Sequence, residues 1–158
     1  PLRPWRAPLR RRPPGRALAA QHELRVNFGD QIELVGYDLP QQRVRPGERL
    51  TVVLYWRALE PLEMNYQSFL HVADRQNLRR VCCQGDHLNP GGLPTTRWPV
   101  DKYVWDKFEI LIPSDTPSGE YALNAGVYLL EEARRLKRYD EAGRVVGDSV
   151  VVASVEVR

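Results

Sequence analysis

What most limits the fold of this chain is how often it is interrupted. Thirteen prolines and eleven glycines are spread over 158 residues, and between them lie short runs in which apolar and polar side chains alternate. Proline removes a backbone donor and clashes with the preceding helical turn, so long helices have no room here. Alternation with a period of two is what a half-buried strand presents to a core. Leu24, Val26 and Phe28 alternate with Arg25 and Asn27 before a break at Gly29-Asp30; residues 31–39 follow and stop at Pro40. Arg45-Pro46-Gly47-Glu48 predicts a turn, because proline presets φ and glycine accepts the positive φ after it. Residues 50–58 (LTVVLYWRA) are apolar on both faces, as in a central strand. Residues 66–73 and 78–84 predict a hairpin around Asp74-Arg75-Gln76-Asn77.

The second half continues in the same way. A loop rich in Gly, Pro and Thr is expected over 85–104, and strands over 108–112, 120–129 and 149–157. Residues 131–139 (EEARRLKRY) have helical propensity, but their setting among hairpins favours a strand. The sum is an all-β chain: an antiparallel two-sheet β-sandwich, immunoglobulin-like or jelly-roll-like, of eight or nine strands. Its length suits one domain with an appendage.

That appendage is residues 1–21, an Arg/Pro-rich linker or juxtamembrane arm ahead of a sandwich at 22–158. Residues 1–20 hold six arginines, five prolines and no acid. The other 138 residues therefore carry 17 basic side chains against 20 acidic ones, so the basic character belongs to the arm. A nucleic-acid binder needs a basic face on the folded body, and nucleic acid is not an expected partner. The arm suits contact with an anionic membrane surface, where each arginine adds about 1 kcal/mol. No apolar run reaches the ~20 residues that span a bilayer. The chain opens at Pro1 without Met and reads as a piece of something longer.

Many short motifs recur in an order that belongs to a known domain type. They are residues 30–38 (DQIELVGYD), Arg45-Pro46-Gly47, residues 54–58 (LYWRA), Phe69-Leu70-His71-Val72, Gln84-Gly85-Asp86, residues 94–98 (PTTRW), residues 117–121 (PSGEY), Gly126-Val127-Tyr128 and Arg135-Leu136. Over about residues 28–158 the chain resembles the C-terminal extracytoplasmic β-sandwich of bacterial multi-pass glycosyltransferases of the protein-mannosyltransferase-like type. The resemblance implies that the transferase chemistry lies in a membrane domain preceding Pro1 and that this sandwich is an accessory, membrane-tethered part. Two places depart from the pattern. Pro99-Val100-Asp101-Lys102 stands where Pro-Gly-Glu is usual, and Leu129-Leu130 follows Tyr128 where Asp is usual, which removes a carboxylate from that corner.

Few residues carry reactive chemistry. His71 lies mid-strand on the face of Phe69, and Asp86 lies just beyond the next strand, so a hairpin brings them within reach as a general base and its orienting carboxylate. No Ser stands at a nucleophile elbow, and Ser68 points to the face opposite His71; a polar pair pinning the 85–104 loop is the plainer reading. Trp98 at the end of that loop offers an indole on which a sugar ring stacks, with Arg97 and Asp101 beside it to bond hydroxyls. Its alternative is a plug over the open end of the core. Trp56, Trp105 and Tyr55 read as packing residues. Cys82 and Cys83 are adjacent in a strand, so regular alternation sends them to opposite faces and keeps them from pairing.

His22, His71 and His87 are scattered, which does not suit zinc. Calcium held by Asp74, Asp86, Asp101 and Asp106 is a weaker alternative to no metal. No cofactor is expected. The expected function is a non-catalytic accessory domain that supports its parent membrane domain or binds glycan through Trp98, Arg97, Asp101, His71 and Asp86. The alternatives are a small hydrolase using His71 and Asp86, or anionic membrane or nucleic-acid binding through the arm.

Overall fold

The computed structural model of the chain describes residues 3–4, 20–100 and 102–158. Among them are thirteen strands: β1 (Arg3–Pro4), β2 (His22–Phe28), β3 (Ile32–Asp38), β4 (Arg43–Val44), β5 (Arg49–Ala58), β6 (Gln67–Asp74), β7 (Val81–His87), β8 (Lys102–Leu111), β9 (Gly119–Leu129), β10 (Arg134–Arg135), β11 (Arg138–Tyr139), β12 (Val145–Gly147) and β13 (Val150–Val157). Eight have seven residues or more. The excess over the expected eight or nine comes from pieces of two or three residues, too short to show alternation. Among the described residues helix is limited to three 3-10 turns, at Pro90–Gly92, Thr95–Arg97 and Leu130–Glu132. Among the described residues no helix is long and apolar enough to cross a membrane.

The strands form two sheets, ordered β1-β8-β5-β3-β2-β11-β12 and β4-β13-β9-β6-β7, with β10 also paired to β9. Pairing is antiparallel except for two short parallel pairs, β1 with β8 and β4 with β13. The chain is thus a two-sheet β-sandwich. Its interior is the inward half of each alternation: Leu50, Val52, Leu54 and Trp56 from β5 meet Leu70 and Val72 from β6 and Leu123, Ala125 and Val127 from β9. The Phe28 ring packs edge-on against Trp56, centroids 5.9 Å apart. A smaller cluster of Ala20, Val35, Val53, Tyr55 and Tyr103 lies on the far side of the first sheet.

The predicted turns have a visible cause. Gly29 and Asp30 have φ of 66° and 56°, the sign a type I′ hairpin demands of both central residues. Gly47 at φ 87° follows Pro46, and the Glu48 N–H donates to the Arg45 carbonyl at 3.0 Å, a type II turn. The β6–β7 hairpin differs from expectation. A second turn, in which the Arg80 N–H donates to Asn77 O at 2.9 Å, delays β7 to Val81. Asp86 therefore lies within β7 rather than beyond it. Strand β8 starts at Lys102, so 102–104 belongs to a strand rather than to the loop. Residues 131–139 end the 3-10 turn and then supply β10 and β11, as their hairpin setting favours.

Most of the arginine-rich arm, together with Asp101, lies outside the described residues. Ala20 and Gln21, the last residues assigned to that arm, are held by the body: the Gln21 N–H donates to Asp38 Oδ1 at 2.7 Å, and Gln21 Oε1 accepts the Leu39 N–H at 2.8 Å.

Candidate functional site

The outer face of the second sheet is built from the odd positions of β6 and the even positions of β9. Phe69 stands opposite Gly126, and His71 opposite Asn124; across β7, Phe69 faces Asp86 and His71 faces Gln84. Gly126 is a spatial necessity, since a Cβ there would sit 2.4 Å from Phe69 Cζ. The ring lies over the bare backbone and is 2% exposed. Its lid comes from β10. After β9 the chain makes the Leu130–Glu132 turn, and Ala133 takes a left-handed φ of 49°. The chain then pairs back so that Arg135 stands opposite Tyr128. That return sets the Arg135 guanidinium 4.3 Å from the Phe69 centroid, a cation–π geometry. Arg135 Nη1 also donates to Asp148 Oδ1 at 3.3 Å.

Around this stack lies a pocket of about 320 Å³, lined among others by Phe69, His71, Asp86, Tyr128, Leu130 and Arg135. The Tyr128 hydroxyl donates to Asp86 Oδ2 at 3.3 Å. The His71 and Phe69 rings are 4.7 Å apart. Burial first, and the Arg135 cation second, hold the His71 imidazole below its ordinary value, with Asp86 pulling the other way. Burial, then Asp86, push the Tyr128 phenol up. The imidazole is therefore neutral at neutral pH. His71 and Asp86 share the pocket and feel each other's charge, but among the described residues no hydrogen bond joins them, so the base–carboxylate pair of the alternative hydrolase reading is not assembled. The loop they were expected to pin is held elsewhere: Thr95 Oγ1 accepts the Tyr66 N–H at 2.9 Å and donates to Met64 O at 2.6 Å.

Trp98 corrects the other expectation. Its side chain joins the main core at 5% exposure, and its indole N–H donates to Leu93 O at 2.9 Å. The indole is the plug and leaves no face for a sugar. Arg97 is exposed on the adjoining turn. Asp101, the third member of that set, lies outside the described residues.

A second polar constellation was not foreseen. Asp106 is fully buried between the sheets. Its Oδ2 accepts the Trp56 indole N–H at 3.0 Å and the Ser68 hydroxyl, while Oδ1 accepts the Gly91 N–H at 3.3 Å and bonds His87 Nδ1. The His87 ring stacks on Phe108 at 4.1 Å, and its bond to Asp106 raises its pKa above the usual value. Ser, His and Asp thus meet, but with the carboxylate in the centre. A serine nucleophile needs the imidazole between itself and the acid; here the Ser68 hydroxyl donates to Asp106 itself, and the imidazole bonds the other oxygen of the same carboxylate. The signal lay in the alternation of β8. Val104, Phe108 and Ile110 face the core, and Asp106 occupies the same face, a charge where an apolar residue is due. Starting that strand at Phe108 hid it. Among the described residues no three His, Cys, Asp or Glu side chains gather as a metal site; of the calcium candidates, Asp106 is engaged in the core and Asp74 accepts its own turn's Gln76 N–H at 2.8 Å.

No family model matches the chain, and no curated protein is similar enough to match. Among solved structures, a Niemann-Pick type C2 protein from the Japanese carpenter ant is similar at 8% identity, with a TM-score of 0.44 over 88% of this chain and 97% of that one.

Proposed function

We propose that the chain is a non-catalytic accessory β-sandwich of a membrane glycosyltransferase-like protein, and that its pocket above Phe69 takes a small neutral ligand rich in hydroxyls, one sugar ring of a glycan. The motif order of residues 28–158 supports the attachment to a membrane protein. The grouping of Asp86, Tyr128, His71 and Arg135 around one cavity carries the ligand reading. A carboxylate accepts sugar hydroxyls, a guanidinium and a phenol donate to them, and Tyr128 with Leu130 gives the ring's C–H face apolar contact.

The charges favour a neutral ligand. Arg134 is paired with Glu132 and Arg135 with Asp148, His71 is neutral, and Asp86 remains to accept hydrogen bonds. At about 320 Å³ the cavity falls at the small end of ligand sites, roughly 300–1,000 Å³, which suits one ring rather than a long chain.

Calorimetric titration of the 158-residue chain with glycans chosen from an array tests the reading. Saturable binding that weakens about tenfold or more, some 1.4 kcal/mol, in Asp86→Ala and Tyr128→Ala but not in Arg97→Ala is the expected result. Absence of binding to any glycan would overturn the sugar reading and leave support of the parent protein alone.

A further inference from the structure

The pocket makes no use of Cys82 and Cys83, the two free cysteines of the chain. In a regular strand they would point apart, but β7 is not regular here. Val72 pairs with Cys83 and Ala73 with Val81, so Cys82 is an extra residue with no partner across the ladder. Such a bulge opposes two residues to one and re-aims their side chains. The two Sγ atoms stand 2.7 Å apart, closer than unbonded sulfurs rest, and both residues are partly exposed.

We propose that Cys82 and Cys83 are a redox modification site that closes to a reversible vicinal disulfide by exchange with a low-molecular-weight disulfide such as oxidised glutathione. One cysteine sulfur attacks the oxidant, breaks its S–S bond and releases one small thiol, leaving a mixed disulfide on the chain. The neighbouring cysteine then attacks the protein sulfur of that mixed disulfide and releases the second small thiol. One S–S bond is made and one broken; two electrons pass from the cysteine pair to the oxidant, and the two cysteine protons end on the two released thiols.

The second step is within one chain between adjacent atoms, so it outruns attack by any outside thiol. Reversibility follows from the backbone. Consecutive Cα atoms are about 3.8 Å apart, short of the roughly 4.4–6.8 Å that disulfides prefer, and strained bonds of this kind are the readily reduced ones. Burial raises both thiols above their usual value, so closure accelerates as pH rises and thiolate appears.

The experiment treats the reduced, folded 158-residue chain with excess oxidised glutathione at about pH 8.5, near the ordinary cysteine value, quenches with acid, and reads intact mass and iodoacetamide uptake. The expected product has lost two hydrogen masses, takes up no iodoacetamide, stays monomeric and returns to the dithiol with dithiothreitol. Cys82→Ser and Cys83→Ser, each checked for an unchanged near-ultraviolet dichroism spectrum, should instead hold one stable glutathione adduct. A wild-type chain that accumulates glutathione adducts, forms linked dimers or keeps both thiols would overturn the proposal.

Discussion

Asp106 shows how much one side chain holds in this sandwich. It is the meeting point of an indole from the first sheet, a hydroxyl and an imidazole from the second, and the backbone of the loop over the open end. Removing one partner of a buried charged group costs about 3–5 kcal/mol, because the others stay desolvated and unpaired. Asp106→Ala should lose that much in urea denaturation, whereas an exposed carboxylate such as Glu109 should change stability by less than about 0.5 kcal/mol when replaced. Gly126 tests the opposite kind of fit. A methyl group there meets Phe69 at 2.4 Å, so Gly126→Ala should cost about 1–3 kcal/mol by overpacking; equal stability of the two chains would mean that Phe69 swings aside freely.

Among the elements, β10 is the one whose two residues do most for the pocket. It was legible only as part of a segment with mixed propensity, since two residues cannot display a period. What places Arg135 is the left-handed Ala133, and nothing about an alanine announces a positive φ. Arg135→Ala should therefore leave the long strands intact but raise the His71 pKa towards its ordinary value, and Asp86→Asn should lower it further, both read from imidazole shifts in an NMR titration. The long strands were readable because their alternation runs over seven or more residues and their ends carry Gly, Pro or Asp. Residues 88–100, part of the loop expected over 85–104, were readable as a loop but not as a wall. Trp98 turns inward because the core is open at that end, and Gly91 fits against β8 only without a Cβ, which would meet Val104 Cγ1 at 1.9 Å. Thr95→Val, which leaves the buried Tyr66 N–H unpaired, should cost about 1–3 kcal/mol.

The whole molecule should respond to pH through two histidines of opposite sign. The pKa of His87 is raised in the fold by Asp106, so its stabilising effect is complete below the unfolded value near 6.5 and fades as pH climbs through the raised folded value. The pKa of His71 is lowered by burial and Arg135, so it contributes nothing above that unfolded value and destabilises as pH falls towards the lowered one. Thermal melts of His87→Asn should lose the alkaline-side decline, and those of His71→Asn should lose part of the acid-side decline; identical slopes in both would refute the assignment. The two-layer architecture was visible in the sequence because it depends on sums over many alternating positions, while the site depends on which strands become neighbours, a long-range matter. The doubled cysteine position in β7 has one more effect. Strand β7 ends the second sheet, with no neighbour beyond it among the described residues, and an open strand invites another chain to add itself there. The kink at Cys82 spoils the straight template such an intruder would need, so deleting that single residue should yield a molecule that folds yet clumps, detectable as particles in light scattering.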